Sequence, residues 1–138
     1  CTGDESRIGR RTKWSHGCRV IRITESLDAN SIDGKWLAAK GCASKKSLLF
    51  SSIPCTGGSP WMHVVKEQEN GWDIIRAHQK LMKPLLRTFE HLCSIAQASS
   101  SFICIEWPSS CSHWKRSDVR RIIKRYGLEP VKLHGCSV

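Results

Sequence analysis

The sequence has 138 residues, the length of one ordinary domain, and its 40% hydrophobic and 25% charged content describes a globular chain, not a disordered one. No apolar run approaches the roughly 18–20 residues that a membrane-spanning helix requires, so no membrane is expected. Lysine and arginine total 22 against 12 acidic residues, a formal charge of +10. An excess of that sign points to a polyanion such as nucleic acid, or to a solvated basic surface.

The chain begins Cys1-Thr2-Gly3-Asp4-Glu5, with neither an initiator methionine nor an apolar signal segment. A single α/β domain over residues 1–138 is expected, cut from a longer protein. The eight cysteines fall at positions 1, 18, 42, 55, 93, 104, 111 and 136. Cys18 opens an apolar run, Cys93 lies in a helix-like stretch and Cys104 lies inside Phe102-Ile-Cys-Ile105. Such places suit small buried residues, so reduced thiols in a reducing, intracellular compartment are expected over a disulfide framework. No CxxC pair occurs, and a zinc site is not expected.

In chain order, Cys1–Asp4 reads as a glycine-containing turn. Glu5–Ser15, with Arg7, Arg10, Arg11 and Lys13, reads as a basic helix ended by Gly17. Cys18–Thr24 alternates Val20, Ile21 and Ile23 with arginines, which predicts a strand. Ser31 is the expected N-cap of a helix that carries Trp36 and Leu37 and ends at Gly41. Ser47–Ile53 is a short apolar run, as in a strand covered on both faces, and Pro54–Trp61 is a loop. From Trp72 to Ala98 apolar residues recur at helical spacing, with a kink or restart expected at Pro84. Phe102–Ile105 is the next strand, Ser117–Tyr126 a basic helix, and Pro130–Leu133 a last strand. Strands alternating with helices imply crossovers and a mostly parallel, three-layer, Rossmann-like sheet. Its first strand is expected upstream of Cys1.

In such sheets ligands sit at the carboxyl ends of the strands. The segments expected there are Cys1–Asp4, Thr24–Asp28, Pro54–Trp61 and Glu106–Pro108. A glycine turn can approach a polar or anionic ligand closely, and an acid after the next strand can accept hydrogen bonds from a ribose.

The order of these segments resembles the class I S-adenosylmethionine-dependent methyltransferase fold, and within it the cytosine-C5 methyltransferases. Strand-Pro54-Cys55, followed one helix and one strand later by Ile105-Glu106-Trp107-Pro108, is similar to that family's Pro-Cys and Glu-Asn-Val/Pro motifs. Ser52-Ile-Pro-Cys-Thr-Gly-Gly-Ser-Pro-Trp61 with the later Ile-Glu-Trp-Pro further resembles methyltransferase-like domains of uncharacterised, often mobile-element-associated proteins. The resemblance implies Cys55 as a nucleophile that adds to C6 of a pyrimidine, with Glu106 as the acid/base at the ring nitrogen. It implies S-adenosylmethionine as cofactor, held by Gly3, Asp4 and Pro54 with Glu25 or Asp28 on the ribose. The chain departs from the pattern in Gly57-Gly58 where Pro-Cys is ordinarily followed by glutamine, in Trp107 after Glu106, and in a single-glycine cofactor turn.

Bland readings stand beside these. Cys55 reads equally as a structural cysteine in a tight loop, and Glu106 as an ion-pair partner of Lys115 or Arg116. Trp61, Trp107 and Trp114 read as packing or as base-stacking platforms. His63 and His113 flank the expected cleft. Arg10, Arg11, Trp61, Lys115, Arg116 and Arg120 are the candidate nucleic-acid contacts, against the alternative of solvated helical faces. Two functions follow: a divergent methyltransferase-like domain acting on or binding nucleic acid, or an interaction module that keeps the scaffold without turnover.

Overall fold

The computed structural model describes residues 17–24 and 26–132. The order of elements is α1 (Ile32–Cys42), β1 (Leu48–Ser51), α2 (Met62–Lys66), α3 (Gly71–Ala98), β2 (Phe102–Ile105), a 3-10 turn (Ser112–Lys115) and α4 (Ser117–Tyr126). The described residues form an α/β fold, with four helices and a two-stranded parallel sheet. The strands pair from Leu48 opposite Phe102 to Ser51 opposite Ile105.

Helix α1 starts where the sequence places its cap. The Ser31 hydroxyl accepts the Gly34 N–H at 2.9 Å and donates to the Asp28 carbonyl at 2.7 Å, satisfying one of the orphan donors of the first turn. Asp33 in the first turn and Lys40 in the last suit the helix dipole.

The parallel pair needs a crossover, and α3 supplies it in 28 residues. Its buried side carries Ile75, Met82, Leu86, Phe89, Leu92, Cys93 and Ala96, one apolar stripe at helical spacing. Pro84 lies within this one helix, with no restart. It faces solvent, where water can replace the N–H that proline lacks.

Side chains of Leu49, Ile103 and Ile105 meet the α3 stripe from the sheet, and Val119 and Ile122 of α4 close the same core. Val119 and Ile122 are almost wholly buried, each stabilising the fold by about 1.5–3 kcal/mol. A smaller cluster of Cys42, Leu92 and Ala96 seats α1 on α3, and the Thr88 hydroxyl donates to the Asn30 side chain there at 2.9 Å. The strand positions that alternate with Leu49 and Ile103 point the other way, and Leu48 and Phe102 remain 61% and 70% exposed. No helix of the described residues is long and apolar enough to cross a membrane.

Two expected strands do not form among the described residues. Residues 18–24 join no sheet. Their alternation is that of a strand, but Ile21 packs toward α1, with its Cδ1 3.1 Å from where a Cβ on Gly41 would lie. Residues 130–132 also form no strand. The described sheet is thus one parallel pair, and the three-layer arrangement goes beyond it. The expected helix over Glu5–Ser15, the turn at Cys1–Asp4 and Leu133 lie outside the described residues.

Candidate functional site at the carboxyl ends of the strands

The two parallel strands end side by side, and each runs into one of the loops singled out by sequence. The ladder continues one step past β2, where the Glu106 N–H donates to the Ser51 carbonyl at 2.9 Å. The Ser52 hydroxyl then donates to Glu106 Oε2 at 2.9 Å. Glu106 is exposed, so its carboxylate is held in place by Ser52 with its remaining acceptor capacity open to solvent.

Beyond this point three polar contacts fasten the loops together. Trp107 is buried, and its Nε1–H donates to the Ile53 carbonyl at 2.6 Å. The Ser112 N–H donates to the Gly58 carbonyl at 2.8 Å. His113, 2% exposed, sets its Nε2 3.3 Å from the Thr56 carbonyl. An indole and an imidazole thus satisfy the carbonyls of an irregular loop that would otherwise be buried without partners. No buried side-chain nitrogen or oxygen among the described residues lacks a hydrogen bond.

The loop needs its two glycines for separate reasons. Gly57 has φ +83°, a left-handed conformation that side chains disfavour, and it sits against His78 and Gln79 of α3. Gly58 lies against the His113 ring: a Cβ there would stand 2.6 Å from both Cε1 and Nδ1. Trp107 meets the His113 ring edge-on at 5.5 Å and the Trp114 ring at 4.9 Å. The Trp114 Nε1–H donates to the Pro108 carbonyl at 3.0 Å. Burial holds His113 below the ordinary histidine pKa, partly offset by its contact with the Thr56 carbonyl.

Cys55 lies on this loop as a half-buried free thiol packed against the main core. Cys111, on the facing loop, is buried, and burial raises its pKa, the main-chain hydrogen bond from His113 acting the other way. Pro54 is exposed at the rim. None of the six described cysteines forms a disulfide. Among the described residues no group of three or more His, Cys, Asp or Glu could hold a metal ion.

The other sequence candidates are dispersed. Glu106 pairs with neither Lys115 nor Arg116; Arg116 instead holds Asp118 through two hydrogen bonds of 3.0 and 2.7 Å. The Arg116 guanidinium draws the Asp118 carboxyl below its usual range, and the pair braces the first turn of α4. Lys115 and Arg120 are exposed. Trp61 stands 77% exposed before α2, and His63 is exposed on that helix. Trp107 and Trp114 serve packing. Of the two histidines expected to flank the cleft, His113 is the one that joins the loops.

Asp28 is the one described acid of the expected cofactor set. Its Oδ1 accepts the Asn30 N–H at 2.8 Å, so the carboxylate closes its own turn ahead of α1. Gly3, Asp4 and Glu25 lie outside the described residues, as do Arg10 and Arg11. Of the expected cofactor set only Asp28 and Pro54 fall among the described residues, and residues 18–24 lie outside the sheet, so the described residues alone do not build a cradle for S-adenosylmethionine. No methyl-transfer step follows from them. The chain matches no family model, no curated protein and no solved structure.

Proposed function

We propose that this chain is a divergent methyltransferase-like domain that binds nucleic acid at the junction of the Pro54–Trp61 and Glu106–Trp114 loops. One observation carries the reading: Pro54-Cys55 and Glu106 follow the carboxyl ends of neighbouring parallel strands, the relation that the two resembled motifs require. In the finer form of the reading, β1 and β2 are the motif-bearing pair of a larger Rossmann-like sheet.

The chemistry is that of a base edge meeting a fixed carboxyl group. Glu106, oriented by Ser52, accepts a hydrogen bond from a base amino group, or donates one when protonated. Cys55, on the adjoining loop, is the nucleophile in the catalytic form of the reading, which requires a free thiol and so a reducing compartment. Phosphates are met by Lys115 and Arg120, which lie on or beside α4, the helix that the Glu106 loop leads into.

Alkylation of Cys55 tests the place. A saturating single-stranded oligonucleotide should slow Cys55 modification and leave Cys104, on the strand face turned from α3, unchanged. Equal rates with and without the oligonucleotide would overturn the reading. Turnover and binding alone separate on S-adenosylhomocysteine: heat of binding with a thermal shift supports turnover, and neither leaves a binding module on the same scaffold.

A further inference from the structure

Helix α3 carries a second cationic surface, one that no motif accounts for. Lys80, Lys83, Arg87 and His91 are all exposed and recur every three or four residues, so they share one side of the helix. At a rise of about 1.5 Å per residue they follow one another at roughly 4.5–6 Å. The helix has two carboxylates, and arginines engage both. Asp73 holds Arg76 at 2.8 Å, and Glu90 receives Arg121 in a two-pronged contact and Arg125 at 3.3 Å. Lys80, Lys83 and Arg87 have no ion-pair partner among the described residues.

The row ends in a shallow cleft of about 270 Å³ between α3 and α4, lined by Arg87, Glu90, His91, Ser94, Arg125 and Tyr126. Two guanidiniums, those of Arg121 and Arg125, hold the carboxylate of Glu90. The Arg121 guanidinium holds the Glu90 carboxyl below its usual range, so Glu90 stays charged and fixes Arg121 and Arg125 in place. The Tyr126 hydroxyl donates to the Glu90 carbonyl at 3.1 Å and braces the α4 side. The other end of the row begins just past His78 and Gln79, where Gly57 of the candidate-site loop packs on α3.

We propose that Lys80, Lys83 and Arg87 form a phosphate track that leads from the loop junction to the α3–α4 cleft and holds the backbone of a nucleic acid strand. The proposal rests on the nucleic-acid reading above and gives the strand a path away from Glu106. At the cleft end Arg125, preset by Glu90, stands on the wall opposite Arg87 and suits a phosphate oxygen better than a freely moving lysine does.

The test uses the full chain and the fluorescence anisotropy of a labelled single-stranded oligonucleotide. Lys83→Ala/Arg87→Ala should weaken binding about tenfold near physiological salt and flatten the log K against log salt slope by about one to two. Lys45→Ala/Lys132→Ala removes the same charge from exposed positions elsewhere and should change binding less than twofold. Equal weakening by both pairs would reduce the track to net charge and overturn it. Wild-type binding that Lys83→Ala/Arg87→Ala leaves intact would overturn the track and spare the loop junction. No binding by the wild type would overturn both.

Discussion

Gly58 has no room for a side chain because the ring of His113 occupies the space, its Cε1 and Nδ1 each 2.6 Å from where a Cβ would stand. The two residues belong to loops that follow different strands, and their contact locks the carboxyl edge of the sheet. Gly58→Ala should therefore destabilise the protein by about 1–3 kcal/mol, the usual cost of overpacking a tight contact. His113→Ala alone should cost about 2–4 kcal/mol through the cavity it leaves. In the double variant the clash has no partner, so the combined loss should fall short of the sum by at least about 0.5 kcal/mol. Additive losses in urea melts would mean that the loops are not coupled through this pair.

Buried His113 also gives stability a pH dependence of definite sign. Its pKa is lowered by burial, so the unfolded chain binds the proton more readily than the folded one. That contribution is fully present above the unfolded value of about 6.5 and is lost as pH falls through the lower, folded value. Glu90 and Asp118, whose carboxyls are held down by Arg121 and Arg116, add a separate loss once pH drops below about 4. Thermal melts should show both declines in the wild type and only the acidic one in His113→Phe. A wild-type curve flat between pH 7 and 5 would contradict the assignment.

Thiol reactivity should rank by place. Cys93 has no exposed surface, and burial pushes its pKa up to about 12; Cys42 is likewise buried and raised. Among the described cysteines, exposed Cys18 and half-buried Cys55 should alkylate first, with Cys42 and Cys93 modified only on unfolding. Peptide mapping that found Cys93 labelled early in folded protein would contradict the packing of α3.

Local signals made much of this legible in the sequence. Ser31 announced α1 through its cap, and the apolar stripe from Ile75 to Ala96 announced α3. The short apolar runs Ser47–Ile53, stopped by Pro54, and Phe102–Ile105, set between serines and Glu106, announced β1 and β2, the first of them shortened in the structure to Leu48–Ser51. That the Gly58 and His113 loops share one end of the sheet followed from both trailing strands of a parallel pair; that they touch rests on β1 and β2 being neighbours. The sequence could not tell that Ile21 would pack against α1, because alternation looks the same whether a strand edge or a helix receives it. Nor did it assign Trp107 and Trp114 to packing, since that depends on the Ile53 and Pro108 carbonyls being within reach of their indole nitrogens. Lys83 and Arg87 drew no reading from the sequence, because whether Asp73 and Glu90 neutralise them or are taken by Arg76, Arg121 and Arg125 is decided by the fold.

The measurement that bears most directly on the central claim is the affinity of the full chain for a single-stranded oligonucleotide as salt is raised from about 50 to about 200 mM. Contacts to several phosphates predict that log K falls linearly with log salt, with a slope of about −0.7 per phosphate engaged and a total of about −2 or steeper. Binding that is unchanged across that range, or absent at its low end, would contradict a nucleic-acid role.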